Sequence, residues 1–185
     1  INAFKPEQLS ELLHPVIDDS SVKSFDKVVG GISGAPGAAV GRVYFSTDDL
    51  LEAKKIAKQK NEDTRCILLM CATYAGDVKA IEEATGVLSN EGGYSAHASV
   101  VARQYGKISL VRPDMVIKKK KKKIGDMVIN SGDYITLNVP YYGAPVIYKG
   151  AADLVQPNPD KLGLFDIVNV CKKYCDGFYV RANAD

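Results

Sequence analysis

Apolar residues fall along this chain in short runs, and the polar spacing between those runs changes character after residue 111. Cys66–Cys71 (C-I-L-L-M-C) is apolar without interruption, the pattern of a strand covered on both faces. Gly86–Ser89 is a shorter run of the same kind. Val28–Ile32 and Ala39–Phe45 are apolar stretches set around Gly30, Gly31, Gly34, Pro36 and Gly37, which reads as strand, turn, strand. Between these strands the apolar positions recur at helical spacing. Thr47–Lys58 reads as a helix with Thr47 as its cap and Asp48 and Asp49 in the first turn, where carboxylates suit the helix dipole. Asp77–Ala84 reads as a second helix, with Val78 and Ile81 facing inward. Ala96–Tyr105 reads as a third, stopped by Gly106, and Ser109–Val111 returns as a strand.

Further on, Asp126–Ile129, Tyr134–Asn138 and Pro145–Tyr148 are short β-like runs. Turn residues Asn130–Asp133 and Tyr142–Gly143 separate them. Strands alternating with helices, followed by a β-rich end, predict a compact α/β domain. The flanks differ. Residues 1–27 are mixed and polar, with a short helix expected over Glu7–Leu13, because Pro15 disfavours helical geometry just before it. Pro157 and Pro159 mark an exit, and Leu162–Tyr174 has helical apolar spacing. The organisation expected is an N-terminal linker (1–27), one domain (28–155), and a C-terminal linker helix with one further strand (156–185). No internal repeat is visible.

Composition adds bounds rather than identity. The chain has 185 residues, enough for one domain with a proper core. A net charge of +2 gives no reason to expect dedicated nucleic-acid binding. The cysteines, Cys66, Cys71, Cys171 and Cys175, lack paired C-x2-C units, so they read as reduced thiols rather than zinc ligands. Cys171 and Cys175 are one helical turn apart and would share a face. No metal site is expected. No apolar run reaches the roughly 20 residues of a membrane helix, and a cytoplasmic setting is the expectation.

The chemistry concentrates in Gly92–Arg103, G-G-Y-S-A-H-A-S-V-V-A-R. A Gly-Gly turn leads through Ser95 to His97 and then into the third helix. That order puts an imidazole in the first turn of a helix, where free backbone N–H groups and the positive dipole end favour a phosphate. Imidazole takes and returns a group readily near pH 7. His97 is therefore the candidate nucleophile. Gly92 and Gly93 allow backbone to approach a phosphate, and Ser95 is expected to cap the helix. Arg103, six residues on, is expected either to anchor the helix by an ion pair or to touch phosphate. His14, in the incoming stretch, is expected to be structural. Lys118–Lys123, six consecutive lysines, reads as a solvated loop or hairpin; the functional alternatives are a patch for anionic partners or an import-like signal.

Gly92, Gly93, Ser95, His97, Ala98, Ser99, Val100, Val101, Ala102 and Arg103 together resemble the phosphohistidine motif of the phosphoenolpyruvate-utilising enzymes. These are the pyruvate phosphate dikinases, phosphoenolpyruvate synthases and enzyme I of the sugar phosphotransferase system. Leu12–Pro15, Gly31–Phe45 and Val180–Asp185 resemble dikinase segments in the same order. Some stretches depart from the dikinase pattern: Ser95-Ala96 stands for Thr-Ser, Cys71–Asp77 for a Glu-Thr-Ser-Pro-Glu-Asp-like run, and Lys107–Leu110 for Gly-Lys-Pro-Cys-Val.

The resemblance implies a swivelling domain of β/β/α layering. It implies that His97 carries a phosphoryl group on Nε2 while a hydrogen bond holds Nδ1. In a complete enzyme, a homodimer, the domain would swing between an ATP-binding part and a phosphoenolpyruvate/pyruvate barrel. Mg2+ and ATP or AMP would belong to those parts, with no cofactor in this chain and no turnover by it alone. Arg181, in the barrel-strand segment, would bind substrate phosphate in that context. The alternatives are a silent homologue acting as a binding or regulatory module, or the carrier of a synthase-like enzyme.

Overall fold

The computed structural model describes residues 14–118 and 121–156, with helical positions 166, 169, 170, 172 and 173; the side chains of 117, 118 and 121 are not among the parts described. The expected Glu7–Leu13 helix, Cys171, Cys175 and Arg181 lie outside the described residues, whereas the positions described within Leu162–Tyr174 are helical as expected.

The core element is an eight-stranded sheet of order β2-β12-β11-β4-β5-β6-β7-β3. Its strands are β2 (Lys27–Val29), β3 (Ile32–Ala35), β4 (Gly37–Tyr44), β5 (Cys66–Met70), β6 (Gly86–Ser89), β7 (Ile108–Val111), β11 (Tyr134–Val139) and β12 (Val146–Lys149). β4, β5, β6 and β7 run parallel. They are joined by α1 (Thr47–Lys60), α2 (Val78–Glu83) and α3 (His97–Gln104). The remaining pairs are antiparallel.

Side-chain alternation assigns each face of the sheet to a different cover. From β5, Ile67 and Leu69 enter one cluster with Leu88, Leu110, Ile135 and Leu137, while Cys66 and Leu68 enter another with Val87. The first cluster is closed by Ile124, Met127 and Ile129 of a three-stranded antiparallel sheet. That sheet comprises β8 (Val116–Lys118), β9 (Lys121–Ile124) and β10 (Met127–Asn130). The second is closed by the helices through Leu50, Ala80, Ile81, Ala98, Val101 and Ala102. The result is the β/β/α layering implied by the resemblance, with the uninterrupted apolar run of β5 buried on both faces.

Three expectations are corrected. Val28–Ile32 is not one strand. Gly30 and Gly31 take φ of 110° and 119°, a region that favours glycine, and the chain breaks there. β2 and β3 consequently lie at opposite ends of the strand order, so the sheet curls until its two edges are joined by this two-residue link. Buried Arg112, just past β7, fastens the seam: it donates to the carbonyls of Val29 (3.0 Å) and Gly30 (2.7 Å) and is held by Asp114. Thr47 is not the cap of α1. Ser46 caps it, accepting from the Asp49 N–H at 3.1 Å, because the Thr47 hydroxyl donates to Asp77 at 2.6 Å.

The described lysines of the run, Lys118 and Lys121–Lys123, lie on the paired strands β8 and β9, as the hairpin reading had it, but the run is not wholly solvated. Lys122 stands opposite Ile129 in register and therefore faces inward; it is only 8% exposed, with its ammonium 5.1 Å from the Phe45 ring centre. Burial pushes its pKa down. Lys123, opposite Val128, points outward.

β1 (Val16–Ile17), in the stretch read as incoming linker, pairs antiparallel with β13 (Leu154–Val155). Ile17 and Leu154 then pack with Val22, Val40 and Ala152 on the outer face of the sheet. Entry and exit of the domain thus leave side by side.

Among the described residues Lys122 has no carboxylate partner, so its charge is buried at a net cost. Lys122→Met should raise stability at neutral pH by about 1 kcal/mol, and Lys123→Gln should stay within about 0.5 kcal/mol. Because the folded pKa is the lower one, the native state binds fewer protons than the unfolded chain, and wild type should gain on Lys122→Met as pH rises toward the ordinary lysine value. Denaturant melts of the three proteins between pH 7 and 10 check both the order and the trend.

Candidate phosphohistidine site

The C-terminal ends of the four parallel strands share one edge of the sheet, the edge at which open α/β sheets present their ligand crevices. β6 ends there at fully buried Ser89. The chain is then pinned to the end of β5: Asn90 donates to Met70 and Cys71 carbonyls (both 3.1 Å) and Glu91 to Cys71 (2.7 Å). With its amide oriented to satisfy its surroundings, Asn90 also donates to the carbonyls of Arg112, Pro113 and Met115, tying the same point to the seam. Gly92 then turns the chain outward with φ of 122°, and a Cβ there would lie 2.7 Å from Ala96 Cβ. Residues 92–96 run through a turn closed by Ala96 N–H to the Gly93 carbonyl at 3.1 Å.

His97 is the first residue of α3 and is exposed. Ser95 does not cap the helix. The cap position is Ala96, whose methyl accepts nothing, and no side-chain cap bond is made. The amide groups of the first turn are thus free of a protein side chain. Val100 N–H returns to the Ala96 carbonyl at 3.0 Å, so the helix is properly started. The expected hydrogen bond to Nδ1 is also not met: among the described residues the His97 ring has no hydrogen-bond partner. The ring therefore stands in solvent beside unsatisfied N–H groups, with Gly93 and Ser95 in the turn before it.

The inner face of α3 is held close to the sheet. Buried Ser99 and Ser109 hydroxyls lie 3.3 Å apart, and Gly34 of β3 sits against both; a Cβ on Gly34 would come within 2.6 Å of Ser109 Oγ. Among the described residues Arg103 forms no ion pair, and it is only partly exposed. It donates to the Gly34 carbonyl, and its guanidinium lies under the Tyr94 ring, 3.9 Å from the ring centre. Sequence reasoning missed this pair, since a lone tyrosine in a glycine turn carries no signal of its partner.

The neighbouring loop, Cys71–Asp77, adds a wall at the same edge. Its end is anchored by Asp77, which accepts from Tyr74 N–H (2.8 Å) and from Thr47. Thr73 and Ser89 each keep a buried hydroxyl with no hydrogen-bond partner among the described residues, unusual for buried polar groups. Exposed Cys71 donates weakly to Glu91 at 3.5 Å, whereas Cys66 is buried and its thiol pKa is pushed up. His14 lies elsewhere, in the wall of a cavity of about 420 Å³ formed with Val16, Ile17, Gly37 and Asn138 at the opposite edge of the sheet.

Comparison with known proteins agrees with this geometry. Residues 62–139, which contain the His97 turn and the neighbouring Cys71–Asp77 loop, match the family described as PEP-utilising enzyme, mobile domain. That segment is similar to the mobile domain of the phosphoenolpyruvate-utilising enzymes. Over 185 residues the chain is 62% identical to the pyruvate, phosphate dikinase of Treponema pallidum, covering 100% of this chain and 20% of that protein. Identity to the Clostridium symbiosum pyruvate, phosphate dikinase is 31%, over 98% of this chain and 20% of the relative. The chloroplastic pyruvate, phosphate dikinase 1 of Arabidopsis thaliana is 33% identical over 75% of this chain and 14% of its own length. The chain therefore spans about a fifth of the length of the first two of these relatives. Among the described residues no helix is long and apolar enough to cross a membrane.

The close approach of α3 to β3 yields a direct check. Gly34→Ala must push α3 away from β3 and β7, with a loss of about 1–3 kcal/mol for overpacking. Gly34→Ala combined with Ser99→Ala removes the nearest obstruction and should recover part of that loss. Melting curves of the single and double variants measure it; equal losses in both would contradict the packing described.

Proposed function

We propose that His97 accepts and donates a phosphoryl group as the carrier residue of a pyruvate phosphate dikinase-like phosphotransferase. The observation that carries this reading is the exposed imidazole on the first residue of a helix whose opening N–H groups no side chain caps. A neutral ring nitrogen attacks phosphorus; the N–P bond forms as the bond from phosphorus to the leaving oxygen breaks, and that oxygen keeps the electron pair. The resemblance assigns the attack to Nε2. Such transfers are accelerated mainly by position and by charge stabilisation, and the free amides of His97, Ala98 and Ser99 supply part of the latter. Gly92 and Gly93 keep the approach clear, and Ser95 is near enough in sequence to contribute a hydroxyl to the phosphoryl oxygens.

The complete enzyme would interconvert ATP, phosphate and pyruvate with AMP, diphosphate and phosphoenolpyruvate. Residues 28–155 would be the carrier body, flanked by linkers at 1–27 and 156–185. The β1–β13 pairing supports a swing as one unit, because both linkers leave along a two-stranded ribbon. Mg2+ and nucleotide are assigned, as the resemblance implies, to the neighbouring parts of the larger enzyme. Arg181 would serve the phosphoenolpyruvate/pyruvate barrel as a phosphate ligand. The assembled enzyme is proposed to be a cytoplasmic homodimer.

Transfer from a labelled phosphoryl donor, with the complementary ATP-binding or barrel part present, should give acid-labile, base-stable label on this chain. His97→Ala should abolish it and His14→Gln should not. Label that persists in His97→Ala would overturn the assignment.

A further inference from the structure

The loop that delivers His97 is nearly unsupported by backbone bonding. Between the pinned Glu91 and the start of α3, the described residues make one turn bond, Ala96 to Gly93. Gly92 and Gly93 contribute no side chain, and the His97 ring itself has no hydrogen-bond partner among the described residues. Yet a group that transfers phosphoryl needs its nucleophile held to within a fraction of an ångström and a few tens of degrees. Something other than the backbone must hold the turn.

Tyr94 supplies the hold. It is 64% exposed, which for a large aromatic ring on a glycine turn would normally mean free rotation. Its ring instead stacks on the Arg103 guanidinium at 3.9 Å. Arg103 lies six residues beyond His97, about 9 Å along the helix, and long helical side chains lean toward the N-terminus, which brings the guanidinium back under the turn. The same guanidinium donates to the Gly34 carbonyl on β3, so it is itself fixed to the sheet. A chain of contacts therefore runs from β3 through Arg103 to Tyr94 and into the His97 turn.

We propose that Tyr94 and Arg103 form a clamp that positions His97 for phosphoryl transfer, Tyr94 and Arg103 being positioning residues that act through the turn. The inference rests on the reading of His97 as the phosphoryl carrier. Tyr94 is not among the residues that carry the motif resemblance, so the clamp adds a side chain the motif does not specify. The clamp uses the flat face of the guanidinium, which an ammonium lacks, and the π face of the ring, which phenylalanine retains.

The test uses the 185-residue chain and inorganic phosphoramidate as donor. In that reaction the donor P–N bond breaks, the His97 N–P bond forms, and ammonia leaves with the proton. Tyr94→Leu and Arg103→Lys should lower the saturating rate of His97 phosphorylation on the order of 10- to 100-fold, the scale of a small misplacement, with the half-saturating donor concentration unchanged. Tyr94→Phe should restore the wild-type rate. Amide exchange at Ala96 should quicken in the first two variants and stay slow in the third, with exchange in β5 and β6 unchanged as the control for folding. Unchanged rates and unchanged Ala96 exchange in Tyr94→Leu would overturn the clamp. Absence of His97 phosphorylation in wild type above the rate at His14 would overturn the carrier reading instead, and the exchange data would still decide the clamp.

Discussion

Strands β5 and β6 bury side chains on both faces, and everything else in the domain answers to that constraint. A strand of C-I-L-L-M can be stable only if both sides of the sheet are covered. Helices cover one side and the β8–β10 sheet covers the other. Parallel neighbours require crossovers, and the crossovers are α1, α2 and α3. Each helix must begin at the C-terminal edge of the sheet. The N-terminus of α3 and its imidazole are on that edge because the burial of β5 and β6 leaves no other arrangement of the chain.

The edge is then fixed in place by polar contacts at few points. Arg112 joins the two ends of the curled sheet, and Asn90 binds the Arg112, Pro113 and Met115 carbonyls where β6 ends. Ser99, Ser109 and Gly34 let α3 sit close to β3 and β7. Beyond these points the His97 turn projects into solvent. That combination suits the proposed carrier role: the scaffold is held at several points, and the imidazole is open to a partner. A deep pocket would hinder such a ring, and the cavity beside His14 is indeed at the other edge.

Much of this was legible in the chain. The β5 run, the helical spacing of Val78 and Ile81, and the glycine turn before His97 are local patterns whose period fixes which side faces in. What escaped depends on partners distant in sequence. Thr47 looked like a cap because the competing acceptor, Asp77, is thirty residues away. Val28–Ile32 looked like one strand because the pattern of apolar residues does not report that Gly30 and Gly31 take positive φ. Lys122 looked solvated with its neighbours, and only the pairing of β9 with β10 turns it inward. Ser95 matched the composition of a cap, yet the helix begins one residue later, behind Ala96. The Tyr94–Arg103 stack and the β1–β13 ribbon likewise join segments that no local rule connects.

In the proposed function, the uncapped first turn of α3 serves a phosphoryl group on His97. Amide spectra of the chain before and after phosphorylation by phosphoramidate address this directly. The amide protons of His97, Ala98 and Ser99 should move downfield together as they bond the new phosphoryl oxygens, while those of β5 and β6 stay put. Phosphorylation of His97 that leaves the three amides unmoved, or that occurs at His14 instead, would contradict it.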